Sequence, residues 1–468
     1  MEPRGKKEKP SGIDSFFKAI GEIWPFLLFF LICVIAWQLN IIKSLLGLAG
    51  VIVLGRIAWI FWVHYIQQDF ISGIDFVLLE IIPPRDVDRS PKAMELFITN
   101  ALYHWSMKGG KEEFWQGAVW FWFSLEIVSI GGQVHFYVRT PTRIRSLIET
   151  QMYAQYPQAQ VREVPDYTLA VDEITPQSKW NAWACEFGLI KPEAYPVKTY
   201  VDYGLDEDPK EEYKVDPISP VIEFFGSLKK EEQAWLQIVI TPSKKMWRTK
   251  GTWFGKHDWI KESQVEIIKI LKPYTRLQLG TDGGFAKEIR PPDFYKNMLA
   301  GMNLKTAKLG FETGIRVMYI APKEIYPPGT RTNASRDIRL IFRQYAKPDS
   351  NQFDRINSAQ GDRYSGIFSA SPKTVMILAN RMLKEYRERS FFHEPLRQKI
   401  FSQNHWNWPF PGVMGVDGII KAYVHTETYV LNAEELATIW HFPGQILKVP
   451  TLERIESKEA SPPTNLPT

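Results

Sequence analysis

The sequence predicts an α+β protein carried on a transmembrane helical hairpin. Two observations predict it. Residues 23–66 hold two consecutive apolar runs with almost no charge, and the chain beyond alternates short apolar strands with amphipathic helices separated by Pro and Gly stops. At 468 residues and 45% hydrophobic, the chain can bury substantial cores. A net charge of +5 is small for this length and does not by itself mark a nucleic-acid binder. Two cysteines, Cys33 and Cys185, provide neither a disulfide framework nor a cysteine metal site.

The first run, Ile23–Ile42, reads IWPFLLFFLICVIAWQLNII; its 20 residues match the ~20 needed to cross a bilayer as a helix. The second, Ser44–Ile66, carries one charge, Arg56. A central Arg costs roughly 2.5–3.5 kcal/mol on insertion scales, which the surrounding Val, Ile, Leu and Trp offset. Arg56 can also snorkel or pair with a partner subunit. The expected layout is two spans joined by a tight turn near Asn40–Ser44. The flank before them carries Arg4, Lys6, Lys7, Lys9 and Lys18, whereas the turn has only Lys43. The basic flank therefore stays in the cytoplasm, and two spans return the chain there. A signal peptide is the weaker reading, because the apolar stretch is too long and has no small-residue cleavage site. The resulting division is a basic tail at 1–22, two spans at 23–66, α+β domains at 67–245 and 246–450, and a polar, Pro-rich, disordered tail at 451–468.

Phe76–Ile82 is a short apolar strand stopped by Pro83 and Pro84. Ser90–Ser106 is a helix with Ser90 as N-cap and Pro91 at its first position. Val119–Ile130 and Gln133–Arg139 form a hairpin around Gly131-Gly132. Thr140 then caps a helix that begins at Pro141, with a stripe of Ile144, Leu147, Ile148, Met152 and Tyr156; Arg143 and Arg145 sit in its first turn. Ala159–Val164 and Val197–Tyr203 read as strands, Pro217–Leu228 as a helix and Ala234–Thr241 as a strand. From Gln133 this gives the ferredoxin-like βαββαβ order. A second α/β unit follows, with helices near 259–272, 293–307, 334–346 and 372–388 and strands near 311–320 and 419–430. Three strands end alike, at Val138–Pro141, Val239–Pro242 and Tyr319–Pro322, which hints at an internal repeat.

Motifs for chemistry are sparse. Gly251–His257 fails as a phosphate-binding loop: its spacer is one residue short and His257 stands where a hydroxyl must hold magnesium. His393-Glu394 is followed by Pro395, which would break the helix a zinc motif needs. No nucleophile elbow appears, so no catalytic residue, cofactor or metal site is assigned. One cluster stands out, KKMWRTKGTWFGKHDWIK at Lys244–Lys261. In it Lys244, Lys245, Arg248 and Lys250 interleave with Trp247 and Trp253. Cations among aromatic platforms suit single-stranded nucleic acid, and they equally suit a membrane interface or a partner groove. A solvated basic loop with Trp residues anchored in the core fits the same pattern. Arg336, Arg339 and Arg343 line one helix face opposite Ile338, Ile341, Phe342 and Tyr345; such a face is more often simply exposed.

Several separated stretches carry a family likeness: FSLEIVSIGGQVHFYVRTP, IETQMYAQYPQAQVREVPDY, AYPVKTYVDY, KVDPISPVIEFFGSL and ETYVLNAEELATIWHFPG. Across roughly residues 75–450 the chain resembles the N-terminal membrane-anchored region of type IV secretion or conjugation-type DNA-transfer ATPases of ultrasmall bacteria. In that family a P-loop motor follows this region. This chain ends in SPPTNLPT near where the motor would begin, so the resemblance implies no ATPase activity. It implies a non-enzymatic platform in the bacterial cytoplasmic membrane that self-associates and works with a separate P-loop ATPase or secretion subunits. A cytoplasmic-face binder of single-stranded nucleic acid is the alternative, and an enzyme of unrecognised type a further one.

Overall fold

The computed structural model describes residues 30–31, 33–35, 41–84, 87, 89–104, 110–206, 215–243, 247–248, 256–272, 292–326, 338, 340–358, 372–389, 391–392 and 428–444. The chain forms two compact units, Met1–Ile66 and Gln67–Thr468. Helix α1 spans Ile41–Ser72. Within it, Gly50–Ser72 is the one helix among the described residues long and apolar enough to cross a membrane, at 23 residues. The expected first span, Ile23–Ile42, lies largely outside the described residues. The expected turn at Asn40–Ser44 is helical from Ile41 onward.

The second unit is α+β and built on one mostly antiparallel sheet. In chain order it contains β1 (Phe76–Ile82), α2 (Pro91–Phe97, continued by a π turn at Ile98–Leu102), β2 (Phe123–Ile130), β3 (Gln133–Pro141), α3 (Arg145–Gln155), β4 (Gln160–Val164) and β5 (Trp180–Leu189). There follow α4 (Ser219–Gly226), β6 (Gln233–Pro242), the two-residue pair β7 (Trp247–Arg248) and β8 (Lys256–His257), α5 (Trp259–Leu271) and α6 (Asp293–Ala307). The chain continues through β9 (Gly310–Pro322), β10 (Phe353–Ser358), α7 (Pro372–Glu388), β11 (Tyr429–Asn432) and α8 (Ala433–Ile439). The strand order is β10-β5-β9-β6-β2-β3-β1-β4, with β11 also on β9.

This order contains an internal repeat. The first four strands lie as β4-β1-β3-β2, and β5, β6, β9 and β10 lie in the same pattern, β10-β5-β9-β6. The halves join where β2 pairs antiparallel with β6, from Phe123↔Ile240 to Ile130↔Gln233. Strands from both sides of residue 245 thus share one sheet. The first half begins at Phe76, not Gln133. The shared Pro stops fall at the ends of β3, β6 and β9.

Local chemistry explains most boundaries. Ser90 accepts a hydrogen bond from the Lys92 amide at 3.1 Å and so caps α2, as its position predicts. Gly131 and Gly132 sit at φ 61° and 85°, the hairpin geometry that glycine favours. A Cβ on Gly131 would also lie 2.6 Å from the Lys230 carbonyl oxygen. Thr140 does not cap a helix: it pairs with Val77 inside the sheet, and the helical path starts with a 3-10 turn at Thr142–Ile144. Val197–Tyr203 is not a strand. Its amides go to scattered acceptors, Val197 to Glu435 Oε1, Lys198 to the Tyr345 carbonyl and Tyr200 to Thr438 Oγ1. Val197 and Tyr200 are buried from a loop, and Val201–Tyr203 forms a 3-10 turn in which Val201 is exposed. The strand in that place is β5, whose WNAWACEFGL sequence is apolar on both sides because both its faces are covered.

One face of the sheet packs against α2, α3, α4 and α8 through Phe97, Ile148, Phe225, Leu436 and Trp440. The other packs against α7 through Ala379, Met382, Leu383 and Tyr386, over Val128, Trp235, Met318 and Ile320. Each large apolar side chain so buried contributes roughly 1.5–3 kcal/mol. On the first face Lys305 Nζ lies 3.0 Å from Glu435 Oε2, both side chains fully buried, tying α6 to the capping box of α8.

Candidate functional site: a buried polar row beneath α7

Neighbouring strands of this sheet carry polar side chains inside largely apolar runs, and the register aligns one from each. Glu80 pairs with Arg162 and Tyr137, Tyr137 with Glu126, Glu126 with Gln237, Gln237 with Arg316, and Arg316 with Glu186. The result is a continuous polar row on the face that α7 covers. Side chains in register project to the same face, so the row follows from the pairing alone.

Glu126 is its centre. Ser124 Oγ (2.6 Å), Gln237 Nε2 (3.2 Å) and Arg389 Nε (3.0 Å) donate to Oε1; Tyr167 OH (2.7 Å) and an Arg389 terminal nitrogen (3.3 Å) donate to Oε2. Tyr167 spends its one proton on Glu126, so the 2.8 Å contact between phenols is donated by Tyr386. Arg389 also holds Asp166 and the Arg387 carbonyl. It adopts φ 51°, the left-handed conformation that ends α7. Burial opposes the Arg389 charge, but Glu126, Tyr167 and Asp166 outweigh it and raise its pKa well above that of an ordinary arginine. For Asp166, burial pushes up, and the bonds from Arg389 and Thr168 bring it below the usual carboxylate range. Burial, reinforced by Glu126, pushes the Tyr167 and Tyr386 phenols far up, so both stay neutral.

Gln237 links this centre to a second one. Its Nε2 donates to Glu126 and to the Tyr386 carbonyl (3.0 Å), while its Oε1 accepts from Arg316 at 3.4 Å. Arg316 donates to Glu186 Oε1 from Nε (3.0 Å) and from a terminal nitrogen (2.6 Å), and it reaches Glu385 of α7 at 3.1 Å. Its guanidinium stacks 4.2 Å above Phe391. That ring lies where a Cβ on Gly314 would be, 2.4 Å away. At the outer end, Glu80 takes His135 Nδ1 at 2.6 Å and Arg162 Nε at 2.8 Å. Burial raises the Glu80 pKa, and those two partners bring it below its ordinary value.

Five hydrogen bonds hold the Glu126 carboxylate in one orientation. The row is therefore suited to fixing position: apolar packing of α7 is non-directional, and the charged bonds set where along the sheet it sits.

Where they are described, the residues singled out from sequence fall elsewhere. Lys244, Lys245, Lys250 and Trp253 lie outside the described residues; Trp247 and Arg248 contribute backbone to the β7–β8 pair. Further along the same stretch, Asp258 caps α5 and Trp259 is 2% exposed. Arg56 lies within α1. Arg145 pairs with Glu149 at 2.7 Å and with Glu163, and Arg143 stacks 3.7 Å over Phe121. Arg336 and Arg339 lie outside the described residues, while Arg343 is exposed opposite buried Ile338, Phe342 and Tyr345. Sequence reasoning missed Glu126, Gln237, Arg316 and Arg389. For the first three the signal was a single charged or amide residue inside FSLEIVSI, WLQIVI and GIRVMYI; Arg389 gave none.

The fold defines the class: an α+β protein with two four-strand halves of one pattern in a single sheet, stitched to a covering helix by buried ion pairs. A family profile described as a domain of unknown function, DUF8128, matches residues 78–390, more than half of the chain. The chain belongs to that family. The match opens in β1 and closes one residue after Arg389, so it encloses both halves and the helix that locks them. No curated protein matches the chain.

Proposed function

We propose that this protein is a non-enzymatic, membrane-anchored platform of a type IV secretion-like or DNA-transfer apparatus, on which a separate P-loop ATPase or sibling subunits assemble. One observation carries the reading. The apolar helix Gly50–Ser72, long enough to cross a bilayer, leads into β1 through only Gly73–Asp75. A platform needs a stiff body, and the buried row supplies stiffness inside the sheet. The finer features belong to the same proposal. They are a two-pass hairpin, a cytoplasmic sheet unit, and a ferredoxin-like reading of each half, which the repeated strand order supports.

Affinity capture of the tagged protein from membranes tests the reading. Co-purification of a P-loop motor is the expected outcome; a monodisperse monomer without partners counts against it. Protease protection of tagged vesicles reads the topology, with residues 67–468 expected on the cytoplasmic side.

A further inference from the structure

Arg139 stands apart from the other arginines of its sheet face. Arg162, Arg316 and Arg389 each hold a carboxylate within hydrogen-bond distance. A guanidinium carries five N–H donors. Among the described residues Arg139 has no acceptor for any of them; its close contact is the ring of Phe76, 3.9 Å from its central carbon. Its cross-strand neighbours are Leu78 and Ser124, and the Ser124 hydroxyl is already given to Glu126. Glu126 and Asp166 lie near enough to act on it electrostatically, but their oxygens are engaged by Arg389. Burial, and then the charge of Arg389, pushes the Arg139 guanidinium down to about 10. The side chain is only partly buried, so it remains reachable.

Its surroundings indicate what it would meet. Phe76 is the first residue of β1, just beyond the end of the apolar helix. Phe70, Ile71, Ile74, Phe76 and Phe392 are partly buried around Val119, Trp122, Val239 and Phe391 in one apolar cluster. A cation with spare donors beside an apolar, aromatic skirt at a helix end matches a phosphate with acyl chains next to it. The planar fork of Arg takes phosphate bidentately.

We propose that Arg139, seated on Phe76 at the helix end of β1, binds a phosphate group, carried by an acidic phospholipid headgroup or free. The lipid source rests on the membrane-anchored reading above, whereas the phosphate site does not. The test is thermal unfolding of the full chain in a neutral detergent. It is followed with short-chain phosphatidylglycerol, with the matching diacylglycerol that lacks phosphate, and with inorganic phosphate against chloride at equal ionic strength. The expected result is a higher midpoint with phosphatidylglycerol and none with diacylglycerol, the rise being abolished in Arg139→Gln and reduced in Arg139→Lys. A rise with inorganic phosphate as well assigns free phosphate as a sufficient ligand; a rise with phosphatidylglycerol alone assigns the lipid. No rise with either, or an undiminished rise in Arg139→Gln, overturns the site. Should Arg139→Gln not fold, the comparison of the three ligands on the native chain still decides. A chain that leaves membranes on carbonate extraction, yet responds to inorganic phosphate, refutes the anchor and keeps the site.

Discussion

Arg389 and Glu126 are 263 residues apart in the chain, yet Arg389 Nε lies 3.0 Å from Glu126 Oε1 with both side chains fully buried. The pair joins the end of α7 to the central strand β2. Removing one partner leaves the other as an uncompensated buried charge, which costs about 3–5 kcal/mol. Arg389→Met is therefore expected to lower the stability of the sheet unit by that amount. The double variant Arg389→Met/Glu126→Leu should recover part of it, because Glu126 is no longer left as a lone buried charge, although Asp166 still loses its partner. Denaturant unfolding of the three variants measures the coupling. Additive losses would show that the pair does not act as a unit.

Gly314 and Phe391 make a steric lock beside Arg316. A Cβ at Gly314 would sit 2.4 Å from the Phe391 ring, so Gly314→Ala must push the ring off the Arg316 guanidinium. Overpacking of this kind costs about 1–3 kcal/mol. Combining it with Phe391→Ala should cost less than the sum of the two single changes, as read from unfolding midpoints.

Acid should loosen α7 through Asp166. Its folded pKa lies below the ordinary 3.8, because Arg389 and Thr168 outweigh burial. Glu80, below 4.5, and Asp216, held below 3.8 by His441 against burial, shift the same way. A depressed carboxylate contributes stability that is complete above its unfolded value and is lost as pH falls through its folded value. Stability should thus hold down to about pH 5 and decline progressively below it. Asp166→Asn is expected to be less stable at pH 7 and to show a shallower decline in acid; an unchanged acid limb would remove Asp166 from the account.

Cys185 on β5 is fully buried, and burial pushes its thiol far above the ordinary range. In the native chain it should resist alkylation at neutral pH, where thiolate is the reactive form. Mass spectrometry of Cys185-containing peptides along a denaturant series should show labelling that follows global unfolding. Labelling well below the unfolding transition would reveal a separate opening of the β5–β9 pair.

Much of the local structure was legible. The cap at Ser90, the Gly131-Gly132 hairpin and the Pro stops of β3, β6 and β9 are written in residue chemistry that acts within a few positions. Val197–Tyr203 misled because its Val and Tyr residues favour strands while its amides bond to scattered acceptors, and β5 escaped notice because a strand covered on both faces loses its alternation. The polar row was half visible: each isolated Glu, Gln or Arg in an apolar strand could be seen, but not its partner.

The sequence by itself determined the apolar span, the class of elements and the face on which each strand residue lies, since the period of two is a property of the backbone. Only the tertiary structure decided that β2 and β6 meet, that two halves make one sheet, and that Arg389 completes Glu126. Strand neighbours are chosen by summed packing across hundreds of residues, and no local pattern carries that information. The same holds for Arg139, whose distinction is an acceptor it lacks among the described residues and not a motif it shows in sequence.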